Sequence, residues 1–64
     1  MLVYKVTVLQ IPYDYKNEDI KEHLCGYFIK YEDMMEERSK AIKHFRDNDE
    51  YFYKVHVQNI IVKE

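Results

Sequence analysis

Two segments that alternate between apolar and other side chains sit near opposite ends of this chain, and they constrain its fold more than any other feature. Over Leu2 to Ile11, Leu2, Tyr4, Val6 and Val8 fall on one face and Val3, Lys5, Thr7 and Leu9 on the other. A period of two in β-branched and aromatic residues marks a half-buried strand. Tyr51 to Val62 reads the same way, with Tyr51, Tyr53, Val55 and Val57 on one face and Phe52, Lys54 and His56 on the other. Pro12 has no N–H to give and is expected to end the first ladder. The run Ile60-Ile61-Val62 breaks the alternation and predicts burial on both faces or a bulge near Asn59. Tyr4-Lys5-Val6-Thr7-Val8 aligns with Tyr53-Lys54-Val55-His56-Val57. Convergence of two amphipathic strands drawn from one biased alphabet explains that likeness without a duplication.

Between the strands, Ile20, Leu24, Tyr27, Phe28, Tyr31, Met35, Ile42 and Phe45 recur at spacings of three and four, with the stem of Arg38 filling the gap. One stripe of this kind predicts a long amphipathic helix, capped by Asn17 or Asp14 and favoured in its first turn by Glu18 and Asp19. About 30 helical residues would reach roughly 45 Å, while a ten-residue strand reaches about 33 Å, so the helix must overhang or bend. Gly26 is the expected kink, because glycine costs about 1 kcal/mol against alanine inside a helix. Tyr27-Phe28-Ile29-Lys30-Tyr31 has strand-like propensity and forms the alternative, a short middle strand. The expected fold is α+β: residues 1–64 as one domain, a β-α-β chain with one long helix on a two-stranded sheet, its strands adjacent and parallel if the helix is unbroken, completed by homodimerisation.

Such a chain is too small to close its own core. At 64 residues it buries only about 60% of the surface it exposes unfolded, and chains of this size usually carry a disulfide, a metal or a partner subunit. With one cysteine there is no internal disulfide. A homodimer is therefore expected, through a continuous four-stranded sheet or a helix–helix seam of Tyr31, Met35, Arg38, Ile42 and Phe45. Glu32, Asp33, Glu36 and Glu37 precede Arg38, Lys40, Lys43, His44 and Arg46. Opposite blocks on one helix suit an antiparallel copy, and also suit an intrahelical Glu36–Lys40 pair.

The residues offer little chemistry. On a helix His23 and Cys25 point to nearly opposite sides and share no cation, and no second cysteine or spaced histidine pair completes a metal set. Cys25 lacks a base on its own helix face, and Thr7 and Ser39 are the only aliphatic hydroxyls. One glycine excludes a phosphate-cradling loop. In length and layout the chain is similar to the small tautomerases, which use an N-terminal proline as base. Here residue 2 is Leu and the only proline, Pro12, has no free amine. No cofactor and no enzymatic activity are expected. No apolar run approaches the 18 residues or so of a membrane span, and the N-terminus lacks signal-peptide features, so a cytoplasmic protein is expected.

What remains is a surface rich in Tyr, Phe and Met, residue types that favour protein interfaces. The expectation is a small protein-binding module. Its Lys, Glu, Asp, Ile and Tyr bias is of the kind seen in AT-rich phage genes, which suggests an accessory protein that inhibits or redirects a host or defence protein. Tyr13, Asp14, Tyr15, Asp49, Glu50 and Tyr51 lie in the two loops without a core role, and are the expected partner site. In a β-α-β unit these loops sit at opposite ends, so the patch would assemble only across a dimer. The alternative is nucleic-acid or nucleotide binding through the sheet face bearing Lys5 and Lys54, or through a dimer cleft. A net charge of −2 weighs against it.

Overall fold

The computed structural model describes residues 1–14 and 19–63. Four elements follow in order: β1 (Leu2–Pro12), β2 (Lys21–Phe28), α1 (Tyr31–His44) and β3 (Tyr51–Ile61). The sheet has three strands in the order β2-β1-β3, and both outer strands run antiparallel to the central one. The α+β class stands, but the sheet gains a strand and loses its parallel pair. β2 and β3 are parallel to each other with β1 between them, so α1 crosses over the strand that the sequence reading had placed at its edge.

The 3,4-spaced stripe misled because its first half belongs to β2. His23 pairs with Val8 and Leu24 with Thr7, an alternation that the spacing of Ile20, Leu24 and Tyr27 hides. The middle strand therefore ends at Phe28, near where the alternative had begun it, and Tyr31 opens the helix. Gly26 is no helix kink. It lies beside a register shift against Val6 and Thr7, a β-bulge that leaves Cys25 as the extra residue, and its φ is +151°. That angle suits glycine, and a β-carbon there would sit 3.1 Å from the Phe28 ring.

The helix is 14 residues long and starts from Lys30 without a side-chain cap. Asp14 does not cap it, and Asn17 and Glu18 lie outside the described residues. Glu32 and Asp33 in the first turn and Lys43 and His44 in the last complement its dipole. Met34 and Ala41 are its buried residues, and it lies over β1 and β2 more than over β3. The Tyr31 ring meets Tyr4 edge-on at 6.0 Å, so the helix covers the face of Tyr4, Val6 and Val8. Val6 and Val8 are 0% exposed and form the centre of the core. Val55 and Val57 on β3 are only half-buried, and Leu2, on the same strand face as Val6 and Val8, is 41% exposed.

Pro12 does not end the ladder. Pro12 stands opposite Tyr51, and the Tyr13 N–H still donates to the Glu50 carbonyl at 3.3 Å. By the alternation of an antiparallel pair, the nitrogen of Pro12 faces the β2 side, where pairing begins only at Gln10–Lys21, so no bond is lost. Nor does β3 bulge near Asn59. Its register with β1 is unbroken to Leu2–Ile61, and Ile60-Ile61-Val62 is apolar at a sheet end that the helix leaves bare.

Candidate functional site

The antiparallel pairing of β1 with β3 brings the end of the first strand beside the start of the last. Tyr13 is thereby held against the segment Glu50–Phe52 within one chain. Its ring packs on Phe52 with centroids 5.4 Å apart, and its N–H meets the Glu50 carbonyl. With parallel strands these loops would come together only across two copies. One chain does so alone.

The segment before β3 is a turn built by two short polar side chains. Asn48 Oδ1 accepts from the N–H groups of Glu50 at 2.8 Å and Tyr51 at 2.9 Å, and the Asn48 N–H donates to the Tyr51 carbonyl. Asp47 Oδ1 accepts from the Tyr53 N–H at 2.9 Å. Asn and Asp favour such turns because their carbonyl oxygens mimic the backbone. The result is a shallow depression of about 450 Å³ lined by Asn48, Asp49, Glu50, Tyr51 and Tyr53. Asp49 and Glu50 in that lining are exposed, and so is Asp14, next to Tyr13 in the chain. Among the described residues the ion pairs are Lys5–Glu22 at 3.9 Å and Lys40–Glu36 at 3.5 Å, and neither engages these carboxylates. Tyr15 lies outside the described residues. Phe52, Asp47 and Asn48 were missed as parts of this corner. An Asp-Asn-Asp turn directly before an aromatic strand start was the available signal.

The residues expected along a helix seam divide. Tyr31 packs on Tyr4 at one end of the helix, and Met35 is half-buried. Arg38, Ile42 and Phe45 share the flank that faces β3, where with Tyr53 and Val55 they line a groove of about 430 Å³. Phe45 is tied to its own chain, with ring centroids 5.3 Å from His23, 4.9 Å from His44 and 5.5 Å from Tyr53.

On the other flank of α1, Cys25, Glu37, Lys40, Ala41, His44 and Phe45 enclose about 240 Å³. As strand residues two apart, His23 and Cys25 turn the same way, so the angular argument against a shared cation does not apply. His23 Nε2 instead shares a 2.9 Å hydrogen bond with Gln10 Oε1, and no group of three ligating side chains stands together among the described residues. Burial pushes the Cys25 thiol above its ordinary 9.0, and the Glu37 carboxylate adds to the shift. That direction keeps the sulfur protonated and disfavours it as a nucleophile.

The fold and this corner define a small α+β protein, a three-stranded antiparallel sheet covered on one face by one helix, none of whose described helices is long and apolar enough to cross a membrane. Compared with protein-family models, curated proteins and solved structures, the chain matches none of them.

Proposed function

We propose that the chain is a non-enzymatic protein-binding module whose contact site is the corner of Tyr13, Asp14, Asp49, Glu50 and Tyr51, extended by Phe52. The observation that carries this reading is the 5.4 Å packing of Tyr13 on Phe52 beside exposed carboxylates. Aromatic rings held rigidly at a rim of negative charge suit a basic protein surface: the rings supply contact area and the charge speeds encounter. The module works as a cytoplasmic homodimer. Its composition, as read from the sequence, favours an accessory protein of phage type that inhibits or redirects a host or defence protein.

The test is affinity capture from bacterial lysate, with and without nuclease, by the wild-type chain and by a Tyr13→Ala, Asp14→Asn, Glu50→Gln variant. A partner retained after nuclease and bound at least about 2 kcal/mol more weakly by the folded variant supports the site, since that is the hot-spot scale. Equal capture by the variant removes it.

A second reading has one observation in its favour. Lys5 and Lys54 lie on the helix-free face with Tyr27 and Phe52, by the pairings Lys5–Tyr27, Leu9–Lys54 and Ile11–Phe52. Lysines among aromatic rings suit single-stranded nucleic acid. A nuclease-sensitive, salt-sensitive catch would favour that reading over the first.

A further inference from the structure

The two edges of the sheet are unlike. β2 carries Lys21, Glu22 and the bulge at Cys25, all features that blunt an edge. β3 has no proline and no bulge over its 11 residues, and Lys54 is its only Lys, Arg, Asp or Glu.

Which backbone groups of β3 are free follows from its bonds at either end. Met1 and Val62 exchange both bonds, at 2.9 and 2.8 Å, and Tyr13 donates to Glu50. In an antiparallel pair bonded and non-bonded positions alternate. Phe52, Lys54, His56, Gln58 and Ile60 therefore turn their N–H and C=O toward β1. Tyr51, Tyr53, Val55, Val57, Asn59 and Ile61 turn theirs outward. Asn48 and Asp47 already take the outward N–H groups of Tyr51 and Tyr53. Among the described residues nothing meets those of Val55, Val57, Asn59 and Ile61.

The geometry points to a second copy of this chain on that edge, β3 against β3, antiparallel about a two-fold axis at Gln58. This rests on the homodimer proposed above and assigns it a surface and a register. Val57 then faces Asn59 of the second copy and Val55 faces Ile61. All four free residues are used in about eight backbone bonds, and the Asp47–Asn48 turn is left undisturbed. A register shifted toward Tyr53 would compete with that turn. Lys54 faces Val62 of the second copy, so no like charges oppose each other.

Side chains agree. Ile61 is 80% exposed, the most exposed of the large apolar residues among those described. The pairing sets it beside Val55, at the groove lined by Arg38, Ile42, Phe45 and Tyr53 that the offset helix leaves open.

Gln58 is exposed and, at the axis, would face its own copy at about 4.5 Å between α-carbons, within reach of a disulfide. Gln58→Cys in a Cys25→Ser background should give a covalent dimer under mild oxidation, while His56→Cys, which faces Ile60, should not. Ile61→Glu should weaken association about tenfold or more in light scattering with an unchanged circular dichroism spectrum. A wild-type monomer at micromolar concentration overturns both the homodimer and this edge. A dimer in which Gln58→Cys does not cross-link, or His56→Cys does so equally, overturns the edge alone. Cross-linking of Gln58→Cys to a different protein in lysate, with no self-linked product, overturns the second copy as occupant.

Discussion

Strands β2 and β3 flank the same central strand in the same sense, yet they are held by different means. β2 has eight residues, is bulged where it passes Val6 and Thr7, and lies under the helix, with His23 stacked on Phe45 and Cys25 beside Glu37 and Ala41. β3 has 11 residues in unbroken register and only partial cover, but its start is fastened by the side chains of Asp47 and Asn48. Tertiary packing stabilises the first strand, and backbone pairing together with a turn stabilises the second. An irregular strand can persist where a helix covers it; a bare one depends on regular hydrogen bonding.

The sharpest way to break this contrast is to weaken the helix's hold. Met34 is buried where α1 meets the sheet, and Met34→Ala should cost about 2–5 kcal/mol in denaturant unfolding. Hydrogen exchange in that variant should rise more in β2 than in β3, and a uniform rise would contradict the division. A smaller effect compares the strands directly. Gly26→Ala meets both an unfavourable φ and the Phe28 ring, and should cost about 1–3 kcal/mol, whereas the exposed β3 change His56→Ala should stay within about 0.5 kcal/mol. Equal costs would mean that the bulge is not a constraint. The least effect is a pH dependence confined to β2. The folded Cys25 thiol holds its proton above 9.0, so the unfolded chain ionises first as pH rises. Stability should be unaffected by this group below pH 9.0 and fall slightly above it, up to the folded value. Alkylation of native Cys25 should accordingly need a pH above 9.0 for half-maximal rate, and a lower midpoint would reverse the assignment.

The same contrast explains what could be read from residues alone. β1 and β3 were legible because a period of two runs through Leu2–Leu9 and Tyr51–Val57, and α1 because Tyr31, Met35, Ile42 and Phe45 keep the helical spacing of three and four. β2 was not. Its Leu24, Tyr27 and Phe28 join Ile20 and Tyr31 in a helical spacing, and periodicity cannot arbitrate when a bulge shifts the phase. His23, Cys25 and Gly26, all weak helix formers, carried the contrary signal. With the third strand missed, β1 was assigned to an edge and paired in parallel. The acidic corner was then legible as residues but not as a place, since Tyr13 comes against Glu50 and Phe52 only when β1 and β3 oppose each other.

The partnership of the first strand with the last also sets the order of assembly. The nearest pairing of β1 with β3 joins Pro12 to Tyr51, while that of β1 with β2 joins Gln10 to Lys21. Closing the longer span carries the larger entropy cost, and pairings so distant in sequence slow folding. The β1–β2 hairpin can form within microseconds, before the more distant pairing of β1 with β3 closes. Throughout that interval one side of the most apolar strand stands open to any extended neighbour. The molecule is therefore expected to be most vulnerable to aggregation early in folding, before Asp47 and Asn48 set the turn that delivers its last strand.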